Sequence, residues 1–531
     1  MDLDGVYHEL RMDGFPEWVG IKTDSGKQSF QKKQWSSDPA ILNRRTAQIG
    51  ALRSALSNTA LATTLDTCFA TVAAAESRAK EVVEPSNEFS EECYGQLLFR
   101  HDLLKPINQI PFFLIVLRFW KIYATPALAI SMPLMAIIMP YILIRYVFGL
   151  PMPVTTYIEI IKKFYSGNGF KGLMPTPELA GQLSNVTAAS QTTDSMDFFS
   201  KLKFYGQTGW LIFSFAQTMW QPIQTAQHLA ALDKTLTEQG AAIRQIYNAA
   251  DTIRNIYNSL GAAVGRLPFS PAEVLEDRMA VASVLDSPDR FKFLLKDIGD
   301  WELLYRLAIN PDICLVRWTA AKSALHLRNT FDIHVDAERR VAFSVKFDKK
   351  KHALLTGPNR GGKSTALRAI GRSIWLAHNY GVAVGSAAAM TPLKWMQTCL
   401  RLEDIPGSAS LFEREVAVAS LALNRAASGD QGLLLIDELF HSTNPPDAEI
   451  ASREFLSKLW SSDTTISIIS THMFQLLDTS DTHIQRLCCP AKYREDGTVE
   501  YKYGLSHGIC NVSSVREILT EQGFYAPKKS A

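Results

Sequence analysis

A glycine-rich loop that ends in a lysine and a serine is the clearest chemical feature of the sequence. The short apolar run Ala353–Thr356 leads into Gly357-Pro358-Asn359-Arg360-Gly361-Gly362-Lys363-Ser364, and a helical pattern follows over Thr365–His378. Backbone N–H groups in such a loop can surround phosphates, and the helix presents its partially positive N-terminus to them. The lysine can reach the β and γ phosphates, and the serine hydroxyl can bind Mg²⁺. The pattern therefore predicts an ATP and Mg²⁺ site.

Two carboxylates and a histidine follow later apolar runs. Leu433–Ile436 is followed by Asp437 and Glu438, and Thr465–Ser470 is followed two residues later by His472. The carboxyl ends of parallel strands meet at one edge of an α/β sheet, where ligands bind. We expect Asp437 in the Mg²⁺ shell and Glu438 as the base that orients and deprotonates the attacking water. The histidine is expected near the γ-phosphate, in a catalytic or sensing role.

Composition and periodicity predict four regions: a mainly helical region over 1–105, a hydrophobic segment over 106–155, a helical region over 156–330, and an α/β P-loop ATPase domain over 331–531. Gln221–Leu327 is expected to be helical almost throughout. Strands are expected at Phe331–Val335 and Ala342–Phe347. The predicted fold class is therefore a P-loop α/β domain preceded by helices.

The hydrophobic segment contains 23 uncharged residues, Ile122–Ile144, enough to cross a hydrocarbon core. Basic and aromatic residues flank it, among them Trp120, Lys121 and Arg145, as interfacial anchors would. We expect membrane association, as a single span or a hairpin; a buried hydrophobic hairpin is the alternative. The shorter apolar stretch Trp210–Trp220 contains polar residues and is predicted to be a core helix.

The net charge and the cysteine content bear on the binding partners and the cellular compartment of the protein. A net charge of +2 argues neither for nor against nucleic-acid binding. Seven scattered cysteines, with no apolar signal-like run in the first 20 residues, predict reduced thiols and an intracellular protein, with the ATPase domain on the ATP-containing side of any membrane. A zinc site is disfavoured because no C-x-x-C pair anchors the candidate ligands Cys488, Cys489, His507 and Cys510.

The motifs resemble those of the MutS family of DNA mismatch-repair ATPases, within the wider ABC-type ATPases. Thr356–Thr365 is similar to the family's T-G-P-N-M-G-G-K-S-T, and Ser410–Glu415 is similar to its S-T-F-x-x-E. The likeness continues through Asp437-Glu438-Leu439 and Ser470-Thr471-His472. Further upstream, Phe293–Leu304 is similar to a leucine-rich stretch of the family's helical core, which implies that the helical region over 156–330 is a core or lever of the MutS type.

This resemblance implies a homodimer, or a MutS-like heterodimer, with two composite nucleotide sites. ATP binding and hydrolysis would drive a helical clamp on duplex DNA. Ser410 would touch the partner's nucleotide, and Phe440–Asn444 would lie at the same interface. The predicted catalytic residues are Lys363, Glu438 and His472, and the predicted metal ligands are Ser364 and Asp437. The predicted cofactor-binding residues are Gly357, Pro358, Asn359, Arg360, Gly361, Gly362, Lys363, Ser364, Thr365 and Ser410.

The sequence also departs from the family pattern. Arg360 stands where the family has methionine, and Phe440 and Ser442 replace glycines. Phe15-Pro16-Glu17 matches the letters of the family's F-x-E mismatch wedge, but the surrounding domain has no room in the chain and coincidence is favoured. A membrane-anchored ABC-type ATPase acting on a protein or lipid assembly stays open. A module that binds ATP without turnover is disfavoured, since the lysine and both carboxylates are intact.

Overall fold

The computed structural model describes residues 2–32, 34–84, 88–163, 198–260, 276–400, 410–477, 484–494 and 498–524. They form two compact units. The first contains the described residues of 1–74, 246–271 and 289–531, and the second contains those of 75–245 and 272–288. The boundaries at 105, 155 and 330 remain predictions about domains. The structure adds that residues 1–74 belong to the same unit as the C-terminal sheets.

Helices dominate the described N-terminal part, as predicted. Their bounds are Leu3–Glu9 (α1), Phe15–Val19 (α2), Asp24–Gln31 (α3), Pro39–Ala55 (α4) and Thr59–Val83 (α5). Local sequence explains the start of α4, because the Asp38 carboxylate accepts a hydrogen bond from the Ala40 N–H at 2.8 Å and Pro39 occupies the first turn. In the first unit, Phe30 of α3 stacks on Phe15 of α2 with ring centroids 4.9 Å apart.

The second unit is built from helices: Glu88–Leu97 (α6), Pro111–Phe119 (α7), Thr125–Ile142 (α8), Val154–Lys163 (α9), part of Phe198–Ser259 (α10) and Asp277–Asp286 (α11). Single π-helical turns at Trp120–Ala124 and Leu143–Val147 extend α7 and α8. The buried carboxylate of Asp233 joins three of these helices, because it pairs with Arg118 of α7 at 3.0 Å and with Arg278 of α11 at 2.9 Å.

The prediction of a core helix at Trp210–Trp220 is wrong. This stretch lies inside α10, and Trp210, Phe213 and Trp220 are 71%, 59% and 60% exposed. Among the described side chains of α10, the buried positions begin only at Leu229. The packed part of the helix therefore starts after the apolar stretch, and apolar composition alone did not imply burial.

In the first unit, Pro288–Ile309 (α12) leads into a mixed five-stranded sheet. Its strands are Ile313–Trp318 (β1), Leu325–Thr330 (β2), Phe343–Phe347 (β3), Val382–Val384 (β5) and Ala387–Met390 (β6), in the spatial order β3-β2-β6-β1-β5. The strand predicted at Ala342–Phe347 is confirmed as β3, whereas the helical prediction through Leu327 is wrong over β1 and β2. The strand predicted at Phe331–Val335 is also wrong. There the Asp332 carboxylate accepts the His334 N–H at 2.9 Å, a turn contact that replaces strand pairing.

A six-stranded sheet forms the centre of the C-terminal region. Its order is β13-β10-β4-β9-β8-β7, and all neighbours are parallel except β13. The strands are His352–Thr356 (β4), Trp395–Cys399 (β7), Gly432–Ile436 (β8), Thr465–Ser470 (β9), Ile484–Cys488 (β10) and Ser506–His507 (β13). Every residue of β4, β8 and β9 is buried, which explains why these strands read as apolar runs.

The remaining elements of this region are Lys363–Tyr380 (α13), Leu411–Ala427 (α14), Pro445–Leu459 (α15), Val515–Glu521 (α16) and the hairpin of Ala491–Tyr493 (β11) with Val499–Tyr501 (β12). The helix predicted at Thr365–His378 is confirmed as α13. Helices in the N-terminal part followed by mixed α/β sheets confirm the coarse fold class.

Candidate nucleotide site

The glycine-rich loop joins β4 to α13 and borders a cavity of about 610 Å³. Its backbone is left-handed at Gly362 (φ 97°) and at Arg360 (φ 66°), conformations that favour glycine. At Gly357 a Cβ atom would come within 3.1 Å of Cys489, so glycine lets the loop pack against the residue that follows β10. The predicted residues that line the cavity are Pro358, Asn359, Arg360, Gly361, Gly362, Lys363, Ser364, Thr365 and Glu438.

Lys363 is the first residue of α13 and is only 6% exposed. Its Nζ donates hydrogen bonds to the carbonyl oxygens of Gly357 at 3.0 Å and Pro358 at 3.2 Å. Burial lowers the pKa of the Lys363 ammonium, while the carboxylates of Asp437 and Glu438 act to raise it. The ammonium group is thus held inside the loop by neutral carbonyls, which phosphate oxygens could replace at a gain in charge-assisted bonding.

The end of β8 carries Asp437 and Glu438, and Ser470 of β9 connects them. The Ser470 Oγ donates to Asp437 Oδ1 at 2.5 Å and accepts the Glu438 N–H at 2.9 Å. The sheet register explains this contact, because Ile436 pairs with Ile469 and the two strand ends therefore coincide. Glu438 itself has φ 60°, a left-handed conformation that turns the chain sharply after the strand.

His472 lies between the lysine and the second carboxylate. Its Nε2 is 3.2 Å from Glu438 Oε1 and 3.2 Å from Lys363 Nζ. One ring nitrogen cannot donate to the carboxylate and accept from the ammonium at the same time, so the two contacts belong to different tautomers. The hydrogen bond from His472 is the main cause that lowers the pKa of Glu438, and burial opposes it.

Ser410 has a structural contact of its own at the start of α14. Its Oγ accepts the Glu413 N–H at 3.2 Å, and the Glu413 side chain accepts the Ser410 N–H at 2.8 Å, which together form a capping box. Ser410 does not line the cavity of its own chain. The other predicted residues outside the lining are Gly357, Asp437 and His472, which contact the cavity-lining Lys363 or Glu438 instead.

Ser470 and Glu415 were not assigned roles from the sequence. Glu415 is buried, and it holds the segment after the acidic pair by binding His441 Nδ1 at 2.7 Å and accepting the Ser442 hydroxyl at 2.6 Å. It is the last residue of the stretch Ser410–Glu415, so the motif contained the signal. Ser470 is the first residue of the stretch Ser470-Thr471-His472, but its contacts with the acidic pair depend on the pairing of β8 with β9 and could not be inferred from that motif.

The donor set around the loop suits Mg²⁺. The hydroxyl of Ser364 and the carboxylate of Asp437 are hard oxygen ligands, and Mg²⁺ at a phosphate site takes only one or two protein ligands. Within the described ranges, no group of three or more His, Cys, Asp or Glu residues could hold a metal by itself. Cys488, Cys489 and Cys510 are buried thiols, and burial raises the pKa of Cys489 to about 12.

Comparison with known proteins identifies the C-terminal region. A family model described as MutS domain V matches residues 353–523, which include the loop, the acidic pair and His472. This region of the chain is similar to domain V of MutS proteins. Over 285 residues it is 24% identical to the DNA mismatch repair protein MutS of Thermus thermophilus, in each of two strains of that organism. The alignments cover 53% of this chain and 32% of each relative, so the chain matches about a third of their length.

Proposed function

We propose that the MutS domain V of this chain is a P-loop ATPase that binds ATP with Mg²⁺ and hydrolyses it. The observation that carries this proposal is the convergence of Lys363, Glu438 and His472 at one loop, with nitrogen–oxygen and nitrogen–nitrogen distances of 3.2 Å. The Lys363 ammonium group would donate hydrogen bonds to the β and γ phosphates in place of the loop carbonyls. Ser364 and Asp437 would hold Mg²⁺, which neutralises phosphate charge.

Glu438 acts in this proposal by position rather than by strong basicity. Its pKa lies below the ordinary value because of His472, so it is ionised at neutral pH and accepts a hydrogen bond from the attacking water. When Lys363 turns to the phosphates, His472 Nε2 is free to donate to Glu438 and hold it in place. We therefore assign His472 as the residue that positions the base beside the γ-phosphate.

The cavity extends beyond the loop. There its lining includes Val335, Val341, Phe343 and Tyr503, which offer apolar and aromatic surface, and the charged residues Asp332, Arg339, Arg340 and Arg368. We propose that adenine and ribose occupy this part. Pockets that pair apolar walls with a few polar groups are typical of cofactor sites.

The test of the ATPase is Glu438→Gln in the full chain. Loss of the general base should lower turnover by about 100-fold or more while ATP binding is retained. Glu454→Gln, an exposed carboxylate on α15, is the matched control and should leave turnover unchanged. A turnover rate in Glu438→Gln equal to that of the control would refute the assigned base.

We further propose that the ATPase works on duplex DNA in mismatch repair or a related DNA transaction, through a nucleotide-driven helical clamp. The support is the match to relatives that are named DNA mismatch repair proteins. Direct reading of mismatches is not part of the proposal, because only about a third of those relatives is matched. ATP should change the affinity for duplex DNA in a salt-sensitive way. Absence of duplex binding at low salt, with or without ATP, would refute the proposed action on DNA.

We propose a dimer with composite nucleotide sites, in which Ser410 and Phe440–Asn444 face the partner's nucleotide. Ser410 is exposed and lies outside the cavity of its own chain, which supports a role in trans. Subunits with Ser410→Ala and subunits with Lys363→Ala should each be inactive. In an equal mixture half of the dimers contain one subunit of each kind, and one of the two sites in each such dimer has both residues. Mixing should therefore restore about a quarter of the wild-type sites. No recovery on mixing would exclude this arrangement.

Membrane attachment of the same ATPase is a second candidate. Among the described helices, Pro111–Met135 is long and apolar enough to cross a bilayer by length and composition, and only 17% of its most apolar window is buried. The proposed span Ile122–Ile144 overlaps it. The full chain should float with liposomes and resist carbonate extraction, and Leu128→Arg with Ile138→Arg should prevent both. A target other than DNA is not favoured, since the named relatives repair DNA.

A further inference from the structure

One face of the five-stranded sheet carries basic side chains across several strands. In the pairing register Lys346 lies opposite His326, His326 opposite Ala389, and Ala389 opposite Arg317. Arg328 is two residues beyond His326 on the same strand. Because side chains alternate along a strand, all of these positions share one side of the sheet. This side, defined by Arg317, His326, Arg328 and Lys346, is called the basic face below.

The basic face is the open side of the sheet. The intervening positions Val316, Leu327 and Val345 are buried, whereas Arg317 and Arg328 are exposed. A cavity of about 850 Å³ lies over this face, away from the glycine-rich loop. Within the part of the chain that the structure describes, no aspartate or glutamate lines this cavity.

Most of these cations are available for a ligand. Arg317 and Arg328 make no ion pair with any described residue. Lys346 pairs with Asp348 at 2.9 Å, but both side chains are exposed and such pairs contribute little. The pKa of His326 is lowered, first by burial and then by the Lys346 and Arg317 cations, with Asp348 opposing. The cations therefore act together at the centre of the face, where a positive potential attracts anions. Arg53 also lines the cavity, but its guanidinium already donates to backbone carbonyls.

The spacing of the cations fits an extended anion. Neighbouring strands are about 4.8 Å apart, so Lys346 and Arg317, three strands apart, are separated by about 14 Å. A single phosphate cannot span that distance, but successive phosphates of a nucleic-acid strand can. No described Phe, Tyr or Trp side chain lines the cavity, so it lacks the large aromatic platforms on which unpaired bases stack in single-strand sites. We propose that the basic face binds the sugar–phosphate backbone of duplex DNA without reading its sequence.

This proposal specifies a surface for the DNA binding proposed above and does not depend on the nucleotide site. The test compares the full chain with its Arg317→Ala/Arg328→Ala variant by fluorescence anisotropy on a mixed-sequence duplex, between about 50 and about 200 mM salt. The variant should bind about tenfold more weakly or worse at low salt. Losing two phosphate contacts should also make the slope of log K against log salt less negative by about 1.8.

Arg44→Ala/Arg516→Ala is the matched control, because it removes two exposed arginines that do not line this cavity. It should leave the affinity and the salt slope unchanged. Equal slopes for the two double variants would overturn the proposal, as would wild-type protein that binds no duplex. Displacement of the duplex by inorganic phosphate at an equal phosphate concentration would also overturn it, by indicating a small-anion site. ATP affinity, measured on the same proteins, should stay at the wild-type value, so failure here is distinct from failure of the ATPase.

Discussion

Replacing Ser470 with alanine removes two hydrogen bonds that hold the acidic end of β8. One is the bond from the Ser470 Oγ to the Asp437 carboxylate at 2.5 Å, and the other is the bond that it accepts from the Glu438 N–H at 2.9 Å. Ser470 is buried, so its partners cannot fully regain water. A hydrogen bond to a charged group contributes about 1.5–3 kcal/mol, and an unsatisfied N–H adds about 1 kcal/mol. We expect the free energy of unfolding to fall by about 2–4 kcal/mol.

The same substitution should change the response to Mg²⁺. Partners that orient a metal-binding carboxylate typically contribute about 10- to 100-fold to metal affinity. Ser470→Ala should therefore raise the Mg²⁺ concentration that half-saturates ATP turnover by at least about tenfold.

Ser467→Ala is the control for this effect. Ser467 is buried on the same strand and bonds His352 Nδ1 at 2.8 Å, away from the acidic pair. It should lower stability in chemical denaturation without changing the Mg²⁺ requirement. The same Mg²⁺ requirement in both variants would refute the positioning role of Ser470.

Two further predictions concern strain and charge. Arg360 has a left-handed backbone, so Arg360→Gly should be about 1 kcal/mol more stable than Arg360→Ala in thermal denaturation, the reverse of the usual order for these residues. Burial raises the pKa of Glu9, whose carboxylate accepts the Leu400 N–H at 2.9 Å. The folded protein therefore disfavours ionised Glu9, and Glu9→Gln should melt higher than wild type at pH 7. This difference in melting temperature should shrink as the pH falls through the raised pKa of Glu9. It should vanish below the unfolded pKa of 4.5, where the Glu9 and Gln side chains are both neutral. A difference in melting temperature that does not change with pH would contradict this prediction.

The sequence predicted the loop and the strand ends well because their signals are local. Apolar runs such as Leu433–Ile436 become buried parallel strands, and the polar residues that follow must then emerge at one edge of the sheet. The meeting of Lys363, Glu438 and His472 at one edge of the sheet could therefore be predicted from the sequence alone.

Features that depend on pairing or packing could not be predicted in this way. Ser470 reaches the acidic pair only through the register of two strands. The basic face collects Arg317, His326 and Lys346 from strands whose order differs from their order in the chain. The strand predicted at Phe331–Val335 is wrong for a similar reason. The apolar residues of this segment suggested a strand, but the Asp332 carboxylate accepts the His334 N–H and the segment forms a turn.

Isothermal titration of the full chain with ATP, in the presence and absence of Mg²⁺, tests the central claim most directly. We predict Mg²⁺-dependent binding that becomes about 100-fold weaker in Lys363→Ala, because the charge-assisted bonds from the ammonium group are lost. Lys394→Ala, which removes an exposed lysine paired with Asp430, should bind as wild type does. Wild-type protein with no affinity for ATP, or Lys363→Ala protein that binds ATP as tightly as the Lys394→Ala control, would contradict the account.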